Sequence, residues 1–549
     1  MKNKVLYFVL FFFICLLPFS TVLDTVDTHD GYYRDGAIMM LQDHDWLVPK
    51  TAAGDARFLK PPLSYWTIAL SFSLFGVDFF PARLPSMIAA CGVLWLTYLF
   101  SLKLTNSKAT AQFAVLVLFS NLPFILSSTY SLPDMWLCFF ILLSMYGFVS
   151  LITFKEESNK VFWMTYGGAA GAVLSKGLLG VGVLLFAWIF VFIKERKLAA
   201  VRRTIHFPIL FVAFLPIILW FIYITYTHGS MAWDAFFGDQ VAKKVRSLWR
   251  PFIYVFFYIG LVTMSFLPWS LSCLELACRK KKNLFSIFTN NGYQFILSAI
   301  LLMLFCFSLA SPMRTRYMLP LIPLSSIMLA PMLATGIESS LIFSLRRLFK
   351  FILAAFCCLA VGVFLSSGEL VLNQTIVVAI AMFVVTVISY VVVLRFEWLS
   401  VAQGLALIMM FSFQVYFMVL RPIVDHRVDI YMVPEIVKTL EAADVKSTDP
   451  ILFISKSLVA PSLLRTSLHG ETKVVSAVDL NMAQAVKYDV ILILESESAP
   501  LVAQGYDLRP IVVSEKSPFF AWIIAATEHK SEKRKRYNKK YVLATRRMN

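Results

Sequence analysis

The chain has 549 residues; 59% are A, V, I, L, M, F, W, Y or C, only 15% are charged, and the net charge is +17. Soluble domains carry about 25% charged residues. This composition excludes an ordinary soluble enzyme, a disordered chain, a fibre and a disulfide scaffold, and leaves a polytopic membrane protein. Charge is uneven along the chain. Residues 421–549 hold 34 charged side chains in 129 positions, whereas residues 1–420 hold 49. The first part reads as membrane and the second as a small soluble domain, long enough for its own core.

A spanning helix needs about 20 mostly apolar residues. In chain order the candidates are 5–23, 81–102, 110–127, 133–153, 161–175, 177–193, 207–226, 252–272, 292–309, 317–336, 349–366, 373–395 and 402–420. The first follows Lys2 and Lys4 and lacks a small-residue cleavage exit, so it is read as a retained helix. Segments 161–175 and 177–193 are short and separated only by Lys176. The stretch 62–77 is too short to span and reads as interfacial or re-entrant.

The positive-inside rule orients the bundle. With the N-terminus cytoplasmic, nineteen Lys/Arg of the first 420 residues fall inside and twelve outside. Thirteen helices then put residue 421 onward outside, in the periplasm of a Gram-negative cell. All eleven Asp of the first 420 residues fall on the outer side, eight of them within 24–80. Polar chemistry is therefore expected on that face.

Beyond 421, apolar runs at 451–455, 473–477, 490–494 and 510–514 alternate with helical patterns at 431–442 and 479–487. This predicts a small α/β domain. The expected division is 1–420 membrane part, with 24–80 its first outer loop carrying juxtamembrane helices, 421–527 soluble domain, and 528–549 a basic tail. The eight cysteines all precede 421. No C-x-x-C pair is present, which disfavours that type of zinc site. No aromatic-rich basic platform argues for nucleic acid.

The twelve outer cations gather in few places. Arg34, Lys50, Arg57, Lys60 and Arg83 belong to the first outer loop or its edge. Lys176 interrupts an apolar hairpin. Lys243, Lys244, Arg246 and Arg250 share one loop, and Arg314 and Arg316 a short one. Ionisable groups at membrane depth mark function by default, and converging cations suit a lipid-linked phosphate; ordinary headgroup contact is the plainer reading for each cation alone, but not for Lys176, which has apolar segments on both sides. Asp27-Thr28-His29-Asp30-Gly31-Tyr32-Tyr33 follows the first helix. Its acids suit a general base or a positioning group, and Asp27, His29 and Asp30 suit a divalent metal. A cap for a helix over 30–42 is the plainer reading. Arg57-Phe58-Leu59-Lys60-Pro61-Pro62 reads either as a held interfacial lysine or as a snorkelling one. Asp134, after Ser131-Leu132-Pro133, reads as a site acid or as an N-cap.

Together these segments resemble a known family. Asp30-Gly31-Tyr32-Tyr33, Asp45-Trp46-Leu47-Val48-Pro49, and Phe58 to Trp66 follow the order found in bacterial aminoarabinose transferases of lipid A, the ArnT family. Those are part of the protein O-mannosyltransferase superfamily of GT-C glycosyltransferases. Leu132-Pro133-Asp134, Ser175-Lys176-Gly177, Phe266-Leu267-Pro268-Trp269, and Ser308 with Tyr317-Met318-Leu319-Pro320 add to it. The resemblance covers about residues 1–420 and implies a GT-C fold of about thirteen helices with a periplasmic C-terminal domain.

It also implies a transferase using an undecaprenyl-phosphate sugar donor and a lipid or glycan acceptor in the inner membrane, among membrane lipids. The family's helix-one acidic pair falls on His29-Asp30, so Asp30, or Asp27 a turn earlier, carries its role. The family's Glu-Lys-Pro falls on Leu59-Lys60-Pro61. A family Glu-His pair falls on Asp239-Gln240, with the next basic residue on Lys243. The family tyrosine falls on Tyr317, and Arg314 and Arg316 stand near positions of family lysines. The implied site has Asp30, Asp27 and His29 as the catalytic group. Lys60, Lys176, Arg57, Arg314, Arg316, Lys243 and Tyr317 hold the donor phosphate, and Asp134, Asp239 and Tyr33 contact substrate. No cofactor is expected beyond a possible divalent metal. A lipid-linked sugar flippase, another transporter, an O-antigen ligase-like protein and a non-catalytic scaffold are the rival readings.

Overall fold

The computed structural model describes residues 2–20, 30–52, 54–234, 251–267, 269–279, 290–309, 315–335, 409, 433–445, 449–454, 459–470, 472–477, 480–511 and 541–546. The membrane part contains α1 (Lys2–Ser20), α2 (Asp30–Gln42), α3 (Leu63–Phe75), α4 (Phe79–Thr105), α5 (Lys108–Phe119), α6 (Leu122–Ser128), α7 (Asp134–Thr153) and α8 (Asn159–Lys176). It continues with α9 (Leu179–Glu195), α10 (Leu198–Arg203), α11 (Phe207–His228), α12 (Ser230–Trp233), α13 (Pro251–Ser265), α14 (Trp269–Arg279), α15 (Asn291–Leu309) and α16 (Leu321–Thr335).

Local chemistry sets the helix ends. The Asp78 carboxylate accepts from the Phe79 N–H to open α4, and Ser107 and Asn121 side chains cap α5 and α6. Helix α8 stops at Gly177, whose φ of 99° is open to glycine at no cost. Lys176 is thereby left at the last helical position, between two apolar helices.

Among the described residues, four helices are long and apolar enough to cross a membrane, or five if a bent pair counts as one span. That pair is α5 with α6, bent by 69°, so the single span expected at 110–127 is broken. The span expected at 252–272 is likewise divided between α13 and α14. Apart from Met409, the last three expected spans, from 349 to 420, lie outside the described residues.

Helices α7 and α8 pack closely. A Cβ on Gly168 would lie 2.6 Å from the Ser144 backbone nitrogen, and the Ser144 hydroxyl donates to the Thr165 carbonyl at 2.8 Å. Small residues allow such approach where lipid supplies no hydrophobic drive between helices. The main apolar core runs through α1, α4, α5, α7, α8, α9, α15 and α16. A smaller one joins α2 and α3 through Tyr33, Ile38, Tyr65 and Phe72.

The C-terminal part is α17 (Val433–Ala442), β1 (Ile451–Ile454), α18 (Val459–Ser467), β2 (Val474–Ala477), α19 (Met482–Ala485), β3 (Val490–Leu494), α20 (Ala499–Ala503), β4 (Tyr506–Pro510) and β5 (Tyr541–Arg546). The strands form one sheet, ordered β2-β1-β3-β5-β4. Strand β1 is parallel to β2 and β3; β5 is antiparallel to β3 and β4. Side chains alternate between faces. Ile451 and Phe453 meet α17 and α18, while Leu452 and Ile454 meet Ala485 and Leu501 on the other face.

This corrects the reading of 528–549 as a tail outside the domain. Residues 541–546 are an interior strand, with Tyr541 to Ala544 buried. A short apolar run, Tyr541-Val542-Leu543-Ala544, sits inside a strongly basic stretch that masks it. The run at 510–514 also falls late: β4 occupies 506–510, at the sheet edge, where burial is mostly one-sided.

Helix α18 packs on α2, so the C-terminal domain sits on the same side of the bundle as the first loop.

Candidate functional site

Lys176 ends α8, and its ammonium pairs with the Asp134 carboxylate at the start of α7. The same ammonium stands over the Tyr317 ring, 5.1 Å from its centroid. Both ionic groups are largely buried, at 10% and 5% side-chain exposure. A cation at a helix C-terminus and an acid at an N-terminus each suit the local dipole. The pair is therefore stable where it stands, with its charges in a poorly solvated place.

Tyr33 borders this pair. Burial pushes its phenol well above the usual value, and Tyr65 and Asp134 push the same way against Arg57 and Arg316. Tyr33 and Tyr65 rings lie 5.0 Å apart. Arg57 lies over the Tyr32 ring at 3.9 Å. Arg57, Arg316, Asp134, Lys176, Tyr317 and Tyr33 are thus one neighbourhood of alternating charge and aromatic faces. Lys60 is half-buried three residues beyond Arg57, on the segment that enters α3. That segment is pinned to α11: Phe58 is buried against Trp220 and Ile224, and the Trp220 indole donates to the Leu47 carbonyl at 2.9 Å.

Asp30 stands differently from the others. It is fully buried, pairs with Arg34 at 2.7 Å one turn along α2, and accepts from the Ser131 backbone N–H at 2.5 Å. Both carboxylate oxygens are engaged. Arg34 and Arg83 are also buried and flank the Phe79 ring, at 5.3 and 5.7 Å. These two are interior residues here, though the sequence reads them as outer-face cations.

With a guanidinium against Asp30, its carboxylate does not fit a divalent cation. No group of three metal-type ligands is present among the described residues. Asp27, His29, Asp239, Lys243 and Arg314 lie outside the described residues.

Sequence reasoning missed the contacts of the C-terminal domain. Ser462 donates to Asp35 Oδ1 at 3.1 Å, and Arg465 lies 2.8 Å from Asp35 Oδ2. The only local signal was the helical spacing of Ser462 and Arg465, which names no partner.

Residues 2–233 match the family model described as dolichyl-phosphate-mannose-protein mannosyltransferase. An uncharacterized protein of Aquifex aeolicus is 31% identical over 243 residues, covering 44% of this chain and 47% of that one. An undecaprenyl phosphate-alpha-4-amino-4-deoxy-L-arabinose arabinosyl transferase of Wigglesworthia glossinidia brevipalpis is 26% identical over 369 residues, covering 63% of this chain and 60% of its own. The chain thus spans about half to three fifths of the length of these curated relatives. Its fold is similar to that of ArnT from Cupriavidus metallidurans bound to undecaprenyl phosphate, with TM-score 0.68, 14% identity, and 99% and 97% of the two chains covered. The apo structure of the same ArnT matches with TM-score 0.65.

The fold is similar to that of ArnT, with a charged cluster where the first loop meets the helix ends. By sequence the chain is similar to that mannosyltransferase family over residues 2–233 and to arabinosyl transferases over part of their length.

Proposed function

We propose that the protein is a glycosyltransferase that moves a sugar from an undecaprenyl-phosphate-linked donor to an envelope acceptor, a lipid A-like lipid or a glycan. It would work at the outer face of the inner membrane, with the N-terminus cytoplasmic and the C-terminal domain periplasmic. The observation that carries this reading is Lys176, a buried ammonium between Asp134 and Tyr317 at a helix break. The names of its relatives and the ligand of the matched structure support the donor class.

In this reading Lys176, Arg316 and Arg57 take up the charge of the departing lipid phosphate. Stabilising charge that develops as the glycosidic bond breaks is the largest lever available to such a site. Asp134 holds Lys176 in place before the phosphate arrives. Lys60, and Lys243 and Arg314 beyond the described residues, would add to the same phosphate site. The acceptor oxygen attacks the anomeric carbon in line, the carbon–oxygen bond to the phosphate breaks, and configuration inverts. A lipid phosphate acceptor is already ionised and needs no base. Asp30 then positions rather than deprotonates, which suits its engaged carboxylate.

The test uses purified full-length protein in lipid nanodiscs, supplied with undecaprenyl-phosphate sugars and lipid A. Appearance of undecaprenyl phosphate together with a glycosylated acceptor supports the reading. Binding of the donor with no release of its phosphate under any acceptor supply would exclude transfer and favour a transporter.

A further inference from the structure

We propose that Arg465, on the C-terminal domain, is a positioning residue for the Lys176–Asp134 pair, acting through α2 and the turn at Ser131. This rests on the reading of that pair as the phosphate site.

The contacts form a continuous path. Arg465 is buried, and its Nε donates to the Val474 carbonyl at 3.0 Å, which ties it to the first residue of β2. Its guanidinium pairs with Asp35 at 2.8 Å, while Ser462 donates to the other oxygen of the same carboxylate. One turn earlier, a Cβ on Gly31 would lie 2.5 Å from the Ser462 hydroxyl, so α18 rests directly on the α2 backbone. At the far end of α2, Gln42 donates to the Gly470 carbonyl at 2.7 Å. The domain thus holds α2 near its start, middle and end.

Helix α2 in turn holds the site. Asp30, at its first position, accepts the Ser131 N–H. Three residues on, Asp134 opens α7 and pairs with Lys176. Between them Pro133 fixes the backbone, at φ −71°. A displacement of α2 therefore reaches Asp134 through few soft torsions. Small misplacements at a charged site cost large factors in function, and a domain anchored by a buried ion pair is a rigid support for it.

The experiment uses the full chain in nanodiscs and undecaprenyl phosphate as probe. Affinity is measured for the parent, Arg465→Ala, Arg465→Lys, Lys176→Ala and the Arg465→Ala/Lys176→Ala double variant. Amide exchange is followed at Ser131 and, as a folding control, at Ile491 and Leu492. We expect Arg465→Ala to weaken binding about tenfold, on the scale by which misplacement acts. Arg465→Lys should restore part of it. In the Lys176→Ala background, Arg465→Ala should add nothing, because the group it positions is gone. Ser131 exchange should accelerate while the sheet stays protected. Equal losses in both backgrounds would overturn the proposal, as would unchanged Ser131 protection in Arg465→Ala. If Lys176→Ala leaves binding intact, the phosphate reading fails, and Ser131 exchange alone still decides for or against Arg465.

Discussion

Lys176 and Asp134 form an ion pair that joins the C-terminus of α8 to the N-terminus of α7, at a place neither helix reaches alone. The two residues are 42 positions apart and meet because Gly147, Gly168 and Gly171 let the helices approach. Lys176→Ala removes the cation and leaves Asp134 without it. Transfer should fall by about 10²–10³, the usual loss for one electrostatic contact to a transition state. The protein should still purify as a folded monodisperse species in detergent. Turnover within twofold of the parent would contradict the assignment.

Gly168→Ala puts a methyl group against the Ser144 backbone, at 2.6 Å, where no side chain can yield. We expect a stability loss of about 1–3 kcal/mol, as for overpacking in a close-packed interior. Lys176 should lose its register with Asp134 at the same time. Thermal unfolding in nanodiscs measures the first effect and donor affinity the second. A variant as stable as the parent, with unchanged affinity, would show that α7 and α8 separate freely.

The Asp30–Arg34 pair is fully buried, so removing one partner leaves an unpaired interior charge. Arg34→Met and Asp30→Ala should each destabilise by about 3–5 kcal/mol. The double variant Asp30→Leu/Arg34→Met should recover much of that stability but not the hold on Ser131. Unfolding midpoints of the three variants check this; a double variant worse than the sum of the singles would contradict it.

Tyr33 carries a pH prediction. Burial, with Tyr65 and Asp134, raises its phenol against the opposing pull of Arg57 and Arg316, so the folded state holds this proton more tightly than the unfolded chain does. Its contribution to stability is intact below about pH 10 and is lost as pH rises through the folded value. Tyr33→Phe should flatten that alkaline loss and leave stability near neutral pH little changed. An unaltered alkaline limb in the variant would assign the loss to other groups.

Much of the helix order was legible because lipid demands long apolar runs. The expected 133–153, 207–226 and 292–309 are α7, α11 and α15 within two residues at either end. The helix expected at 30–42 is α2, and the runs at 473–477 and 490–494 hold β2 and β3. Lys176 and Asp134 stood out because charge beside apolar sequence is costly. The pairings did not show. Asp35 and Ser462 are 427 positions apart, and nothing local to either names the other. Arg34 and Arg83 read as surface cations because sequence position gave no sign of their burial. Strand β5 was hidden by its charged surroundings; the bend between α5 and α6 did have a local signal, Ser120-Asn121-Leu122-Pro123, with an N-cap and a proline inside the apolar run.

The most direct test of the central claim is mass spectrometry of lipid A and total envelope glycans in cells with and without this gene, complemented with parent or with Lys176→Ala at matched expression. One sugar mass on a lipid or polymer should disappear with the gene, return with the parent chain and stay absent with the variant. An unchanged glycan profile, or full restoration by Lys176→Ala, would contradict it.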